Sequence, residues 1–325
     1  MNDAKKALQL YQPVNLNTLK RRFYYPALNI IFIGCILLLF TGCEKNFDIG
    51  LDYTEPQLVV EAYINTEIPA YNYVILSKSQ TIENADISSI PVKNAMVKIS
   101  EGSLMQNNTI VWDRSSTVIL EETTLPDVPA GIGDGIYTDP KLQTDPARAL
   151  RGISGKYYLL EIEVDGESYT ASTPLLYPIP IEHLSTDYHY TDEDGSNKGR
   201  ITVHFKDPDT TGNCQLFYWR HSDNQKSFGW GSLGTSKRII NSDENNNGSY
   251  MHLTNSYGFV KGDSITYYMA NVPRSVYNFW DSYNKARNSS GPLSTPASLL
   301  NTINGKNVTG CFSGLAISAA TIIMN

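Results

Sequence analysis

The stretch from Gly155 to Thr173, GKYYLLEIEVDGESYTAST, decides the fold class. Apolar and polar residues alternate over Tyr157–Val164, and a period of two is typical of a half-buried strand. The pair Asp165-Gly166 ends this run, and the pattern resumes over Ser168–Thr170. Because Asp-Gly between two alternating runs is the strongest short signal of a two-residue turn, the stretch predicts an antiparallel hairpin.

Similar short runs rich in β-branched and aromatic residues lie on both sides of this hairpin. They are bounded by Asn, Pro and Gly, which is the usual punctuation of strands. The runs are Leu58–Ile64, Tyr73–Leu76, Ala95–Ile99, Arg200–Phe205, Leu216–Trp219, Ser264–Met269 and Leu315–Met324. The sequence therefore predicts a mainly β fold.

One segment has a helical period instead. Val276, Phe279, Trp280 and Tyr283 recur at helical spacing, which predicts a helix near residues 275–287 with an apolar stripe packed on a sheet.

A proline-rich segment divides the chain. Pro174–Pro180 holds three prolines in seven residues, which is too stiff for a helix or a central strand. We expect a β-sandwich-like domain on each side of this segment: an immunoglobulin-like sandwich over residues 56–175, and a second β domain over residues 181–325 that carries the helix. Residues 123–153, rich in Pro and Gly, are expected to form a long loop.

The N-terminus has the order of a secretory signal. A basic cluster at Lys20–Arg22 precedes the apolar run Ala27–Phe40, and Thr41-Gly42-Cys43 follows. As a helix, that run would reach about 21 Å, short of a hydrocarbon core of roughly 30 Å. The end of the run resembles the bacterial lipobox, with Phe40 where Leu is usual. We therefore expect residues 1–42 to be a signal peptide, Cys43 to be lipidated and residues 43–55 to be a tether, with an uncleaved membrane anchor as the alternative.

Charge and cysteine content set two further expectations. The net charge of −7 disfavours binding to a phosphate backbone, so nucleic acid is not an expected partner. Beyond Cys35 and Cys43, only Cys214 and Cys311 remain, and an oxidising envelope would allow them to form a disulfide. Two buried thiols on separate strands fit the same sequence.

Two loops are candidates for binding sites. Asp243, Asn245 and Asn247, followed by Gly248, match the start of a calcium loop, but its twelfth position is Thr254 instead of the bidentate Glu, and an Asn-Gly hairpin explains the same residues. Trp230 lies between two glycines in a polar loop, where an indole could stack on a sugar or contact a protein, or pack back onto the sheet.

No catalytic pattern is evident. The five histidines (His183, His189, His204, His221 and His252) have no metal-ligand spacing, so we interpret them as structural, and no G-x-S-x-G elbow is present. We therefore expect no enzyme activity and no cofactor.

The order of five segments resembles one protein family. The segments are PQLVVEAYI from Pro56, NAMVKIS from Asn94, the hairpin stretch from Gly155, GRITVHFKDPDTTGN from Gly199 and TGCFSGLAISAATIIM from Thr309. In this order they resemble the domain of unknown function 4249 (DUF4249) lipoproteins of Bacteroidota.

The resemblance implies a cellular location, but no specific molecular activity. It implies a protein of the outer membrane, lipid-anchored on the surface or periplasmic face, and a non-catalytic binding or accessory role beside a TonB-dependent receptor barrel in nutrient uptake. The alternative is a surface adhesin or a lipoprotein that binds extracellular matrix.

Overall fold

Strands dominate the computed structural model, so the predicted mainly β fold is confirmed. The structure describes residues 55–80, 89–123, 134–193, 195–221, 239–288 and 298–325. The strands are β1 (Leu58–Asn65), β2 (Tyr73–Lys78), β3 (Met96–Leu104), β4 (Ile110–Thr123), β5 (Ile136–Thr138), β6 (Tyr157–Val164), β7 (Glu167–Pro174), β8 (His183–Thr191), β9 (Asn197–Lys206), β10 (Cys214–His221), β11 (Ile239–Ser242), β12 (Tyr250–Thr254), β13 (Phe259–Val260), β14 (Ser264–Val272) and β15 (Val308–Ile323). Among these described residues the α-helices are α1 (Lys141–Thr144) and α2 (Arg274–Asn288), and short 3-10 helices span Pro69–Tyr71 and Pro146–Arg148.

The predicted hairpin is present as β6 and β7. Val164 pairs with Glu167, so only Asp165 and Gly166 form the turn. Their φ angles are 52° and 80°, and a type I′ turn needs positive φ at both central positions. The turn residues thus fix the register of this hairpin.

The strands form a large mixed sheet and a smaller sheet. The order in the large sheet is β11-β10-β14-β15-β1-β2-β5-β4-β3-β6-β7, and the only parallel pair among these described strands is β1 with β15. In the smaller sheet β9 is central, with β8 on one edge and β12 and β13 on the other. Strand β5 lies inside the predicted long loop of residues 123–153, where it pairs with β2 and β4.

Strand β15 pairs with both halves of the chain. Its first half, Val308–Leu315, runs parallel to β1, and its second half, Ala316–Ile323, is antiparallel to β14. The predicted boundaries place all of β15 in the second domain, yet half of it extends the sheet that β1 begins. The division at Pro174–Pro180 stays a prediction.

Three clusters of buried side chains form the core. One lies among β1–β7 and includes Val60, Ile99 and Leu160. A second fills the space between the smaller sheet and one face of β10 and β14, where Phe205 and Met269 are buried. A third covers the opposite face of β10, β14 and β15.

Helix α2 covers this third cluster, as the sequence predicts. Val276, Phe279 and Trp280 are buried against residues of β10, β14 and β15. Among the described residues, no helix is long and apolar enough to cross a membrane.

Candidate functional site

The outer face of the smaller sheet presents a set of polar side chains. On β9, Ile201, Val203 and Phe205 are fully buried toward β10 and β14. Because successive residues of a strand point to opposite faces, Thr202 and His204 lie on the other side. The alternation therefore gives this sheet one buried face and an outer face on which Thr202 is buried, His204 is half-buried, and exposure lies on the flanking strands at His183 and His252.

Three histidines lie side by side on this outer face, and we call them the histidine row: His183, His204 and His252. His204 on β9 pairs directly with His183 on β8 and with His252 on β12. The rings of His183 and His204 stack with centroids 4.0 Å apart and an interplanar angle of 10°. The ring of His252 meets His204 edge-on at 4.9 Å.

Hydrogen bonds fix the central imidazole of the row. Nδ1 of His204 lies 2.8 Å from Nδ1 of His252, and Nε2 of His204 lies 2.8 Å from Oγ of Ser185. Two imidazole nitrogens at this distance must share one proton, because a lone pair cannot accept from another lone pair. Both nitrogens of His204 are thus oriented by neighbouring side chains.

An aromatic and an acidic side chain flank the row. The ring of Tyr250 contacts His252 edge-on at 4.9 Å. The hydrogen bond of the Tyr250 phenol to the Glu182 carboxylate raises the pKa of Tyr250 above its usual value. His183 and His252 are exposed, so the row offers imidazole nitrogens to a molecule in solution.

The predicted calcium loop lies just beyond the C-terminal end of β9, the end that carries His204, and its first oxygens are engaged within the protein. Oδ2 of Asp243 accepts from the backbone amides of Gly212 and Asn213 at 2.7 and 3.0 Å. Its Oδ1 lies 3.6 Å from the guanidinium of Arg274. Asn247 donates to a backbone carbonyl, that of Asp209, at 3.1 Å.

Asn245, the remaining calcium candidate, is exposed on the same turn. In the described part of the chain, no three or more His, Cys, Asp or Glu side chains are grouped to hold a metal ion. The calcium prediction therefore gains no support here and stays a prediction.

A buried carboxylate adjoins this loop. Asp207, at the end of β9, is 1% exposed, and its Oδ2 accepts from the amide of Gly248 at 3.1 Å. Burial raises the pKa of Asp207, and the nearby negative charge of Asp243 raises it further, against the lowering effect of the Gly248 amide. Two buried carboxylates, those of Asp207 and Asp243, therefore lie close together between the end of β9 and this loop.

The two remaining cysteines are free thiols, so the predicted disulfide is not formed. Cys214 lies on β10 and Cys311 on β15, two positions apart in the sheet order. Neighbouring strands lie about 4.8 Å apart, which separates the two Cα atoms by at least about 10 Å, beyond the limit of about 7 Å for a disulfide. Burial raises the pKa of each thiol to about 11.

A surface cavity of about 230 Å³ lies in the other half of the molecule, lined by Lys78, Asp165, Tyr169 and their neighbours. Small-molecule sites usually measure about 300–1,000 Å³ and are largely apolar. This cavity is smaller, and an ion pair between Lys78 and Asp165 at 3.5 Å lies at its rim. The histidine row is therefore the stronger candidate.

The row is not evident from the sequence because its three histidines are far apart in the chain. Only the register of β8, β9 and β12 places them together, and no local motif reports that register. The other predicted residues, Cys43 and Trp230, lie outside the described residues, as does the signal segment.

Fold and site together define a mainly β protein with an exposed row of histidines on its smaller sheet. A family model described as a domain of unknown function (DUF4249) matches residues 44–320. The chain belongs to this family, which confirms the resemblance found in the sequence. No curated protein gives a significant match.

Proposed function

We propose that this protein is an outer-membrane lipoprotein, anchored through Cys43, that acts by binding as an accessory component of TonB-dependent nutrient uptake. Three observations support the proposal: the signal-like N-terminus, the DUF4249 family and the exposed histidine row. The association with a receptor barrel rests on the family resemblance.

The histidine row is the observation that carries the binding role. It places nitrogen donors and acceptors on the open face of a sheet whose other face is packed in the core. Flat, exposed sheet faces with oriented polar and aromatic groups suit recognition of a partner or ligand, since they need no closure to make contact.

A lipid anchor would hold this binding face close to a receptor in the same membrane. Acyl chains buried in a bilayer contribute about 0.8 kcal/mol per CH₂, so an anchor with more than one chain stays in the membrane. Confinement near a receptor raises the effective concentration of the binding face without any new contact.

A pull-down from envelope membranes tests this proposal. The native protein carries a histidine-free tag after Asn325 and is recovered in mild detergent beside a Cys43→Ala variant, with mass spectrometry of the bound proteins. We expect a large TonB-dependent barrel with the native chain and its loss with the variant. The intact mass of the native chain reports the lipid independently.

Two results would contradict the proposal. A native chain without acyl groups would refute the anchor. A lipidated, membrane-located chain that recovers no barrel would refute the transport role and favour the alternative, a surface adhesin or matrix-binding lipoprotein, which should bind surfaces by itself.

A further inference from the structure

We propose that His204 and His252 form an open binding site for a divalent first-row transition-metal ion such as Zn²⁺, on the outer face of the smaller sheet. The metal would be bound by the two Nδ1 atoms that face each other across β9 and β12. Water or donor atoms of an incoming molecule would complete the coordination.

The separation of the two nitrogens fits a shared ion. Zinc binds imidazole nitrogen at about 2.0–2.1 Å, so two ligands in tetrahedral geometry lie about 3.3 Å apart. In the structure the two Nδ1 atoms are 2.8 Å apart. To accept the ion, the two nitrogens must separate by about 0.5 Å and the rings must turn so that both lone pairs point at the ion. His252 is exposed at the sheet surface, where its side chain can make this adjustment.

Ser185 supplies the second interaction that such a ligand requires. A metal-binding histidine almost always donates its other ring N–H to an oxygen, which fixes the tautomer. Oγ of Ser185 lies 2.8 Å from Nε2 of His204 and can accept that proton. With the proton held at Nε2, the Nδ1 of His204 presents a lone pair toward His252.

His183 restricts the ring of His204 from the other side. Its imidazole stacks flat on His204 at 4.0 Å, so rotation of the central ring would break the stack. When the ion binds, the N–H bond that bridges the two Nδ1 atoms breaks and the proton passes, by exchange with water, to Nε2 of His252, so both rings bind the ion as neutral imidazoles. No bond other than this N–H bond breaks, and no redox change occurs.

The choice of ion follows from the ligand type. Imidazole suits Zn²⁺, Ni²⁺ and Cu²⁺, whereas Ca²⁺ and Mg²⁺ prefer oxygen. Since no third His, Cys, Asp or Glu joins the pair among the described residues, at least two coordination positions stay open. An open site can capture a ligand through the metal, and this inference holds whether or not the protein accompanies a transporter.

Calorimetric titration of Zn²⁺ into the full lipidated chain in detergent tests the inference, with a tag that contains no histidine. We expect saturable binding of one ion per chain. The variant His252→Ala removes one of the two proposed ligands and should weaken binding at least about tenfold, since even the loss of an outer-shell partner typically costs about 10–100-fold. His189→Ala is the matched control, because His189 lies on β8 opposite Gly199, outside the row.

Three results with Zn²⁺ would overturn the inference: no saturable binding by the native chain, equal binding by the native chain and His252→Ala, or an equal loss in His189→Ala. Titration with Mg²⁺ should give no binding, and binding of Mg²⁺ that matches Zn²⁺ would contradict the nitrogen site. Circular dichroism verifies that each variant is folded, and His252→Gln serves if the alanine variant is not.

Discussion

Replacing Gly310 with alanine is expected to separate β15 from β1. Gly310 pairs with Val60 in the parallel register and has a φ of 148°, a conformation that residues with a side chain rarely adopt. A Cβ atom at this position would lie 2.0 Å from the carbonyl oxygen of Val60 and 2.8 Å from its carbonyl carbon. Real Cβ contacts are essentially never shorter than 3.0 Å, so the strand itself must move.

The expected loss of stability has two parts. The backbone strain costs about 1 kcal/mol, at the low end of the range for such conformations. Relief of the clash requires β15 to move by about 1 Å, which weakens two or so backbone hydrogen bonds at about 1 kcal/mol each and loosens the packing of buried Phe312. We therefore expect the free energy of unfolding to fall by about 3–5 kcal/mol.

Gly262→Ala is the matched control. Gly262 also has a positive φ, 92°, but a Cβ there would meet nothing within 4 Å, so only the strain of about 1 kcal/mol applies. Urea unfolding of both variants, followed by circular dichroism and tryptophan fluorescence, gives the two losses by linear extrapolation. A difference below about 1 kcal/mol between the variants would refute the close approach of β15 to β1.

Three further predictions concern the buried polar groups. Because burial raises the pKa of Asp207, the native state keeps a proton that the unfolded chain has lost, and stability should fall as pH rises from about 4 toward the raised pKa. In urea unfolding at a series of pH values, Asp207→Asn should flatten this decline of the midpoint. An unchanged slope would contradict the prediction. Cys214 and Cys311, with pKa values of about 11, should resist alkylation until urea unfolds the chain, and a reductant should leave the thermal midpoint unchanged. Arg274→Ala leaves a buried carboxylate without its cation and should cost about 1.5–3 kcal/mol in urea unfolding, whereas Lys285→Ala, which breaks an exposed pair, should cost about 0.5 kcal/mol or less.

The turn between β6 and β7 and helix α2 could be predicted from the sequence, because each is determined by residues within the element itself. The Asp165-Gly166 turn depends on two residues that tolerate positive φ, and helix α2 depends on apolar residues three and four positions apart. In both cases the residues that form the element also carry its pattern. The sequence therefore predicted the type of each element and its position to within a residue or two.

Long-range pairing was not readable in the same way. The parallel contact of β1 with β15 joins residues 250 positions apart, and nothing in either strand specifies its partner. For the same reason the sequence could not separate a disulfide from two buried thiols, since the choice depends on the strand order between Cys214 and Cys311. An oxidising compartment would allow a bridge, and two buried thiols fit the same sequence; the strand order separates the two cysteines, which are free.

The candidate site depends on the core behind it. On the inner face, buried Met251 pairs with Phe205 and half-buried Leu253 with Val203, and these apolar side chains fix the register of β12 on β9. A slip of one residue would turn His252 into the core and expose its apolar neighbours. Such a register would be less stable, because it loses the apolar packing of the inner face. The apolar residues on the inner face therefore select the alignment that brings the histidines together on the outer face. It follows that substitutions at Met251 that loosen the register should disturb the histidine row as surely as removal of His252.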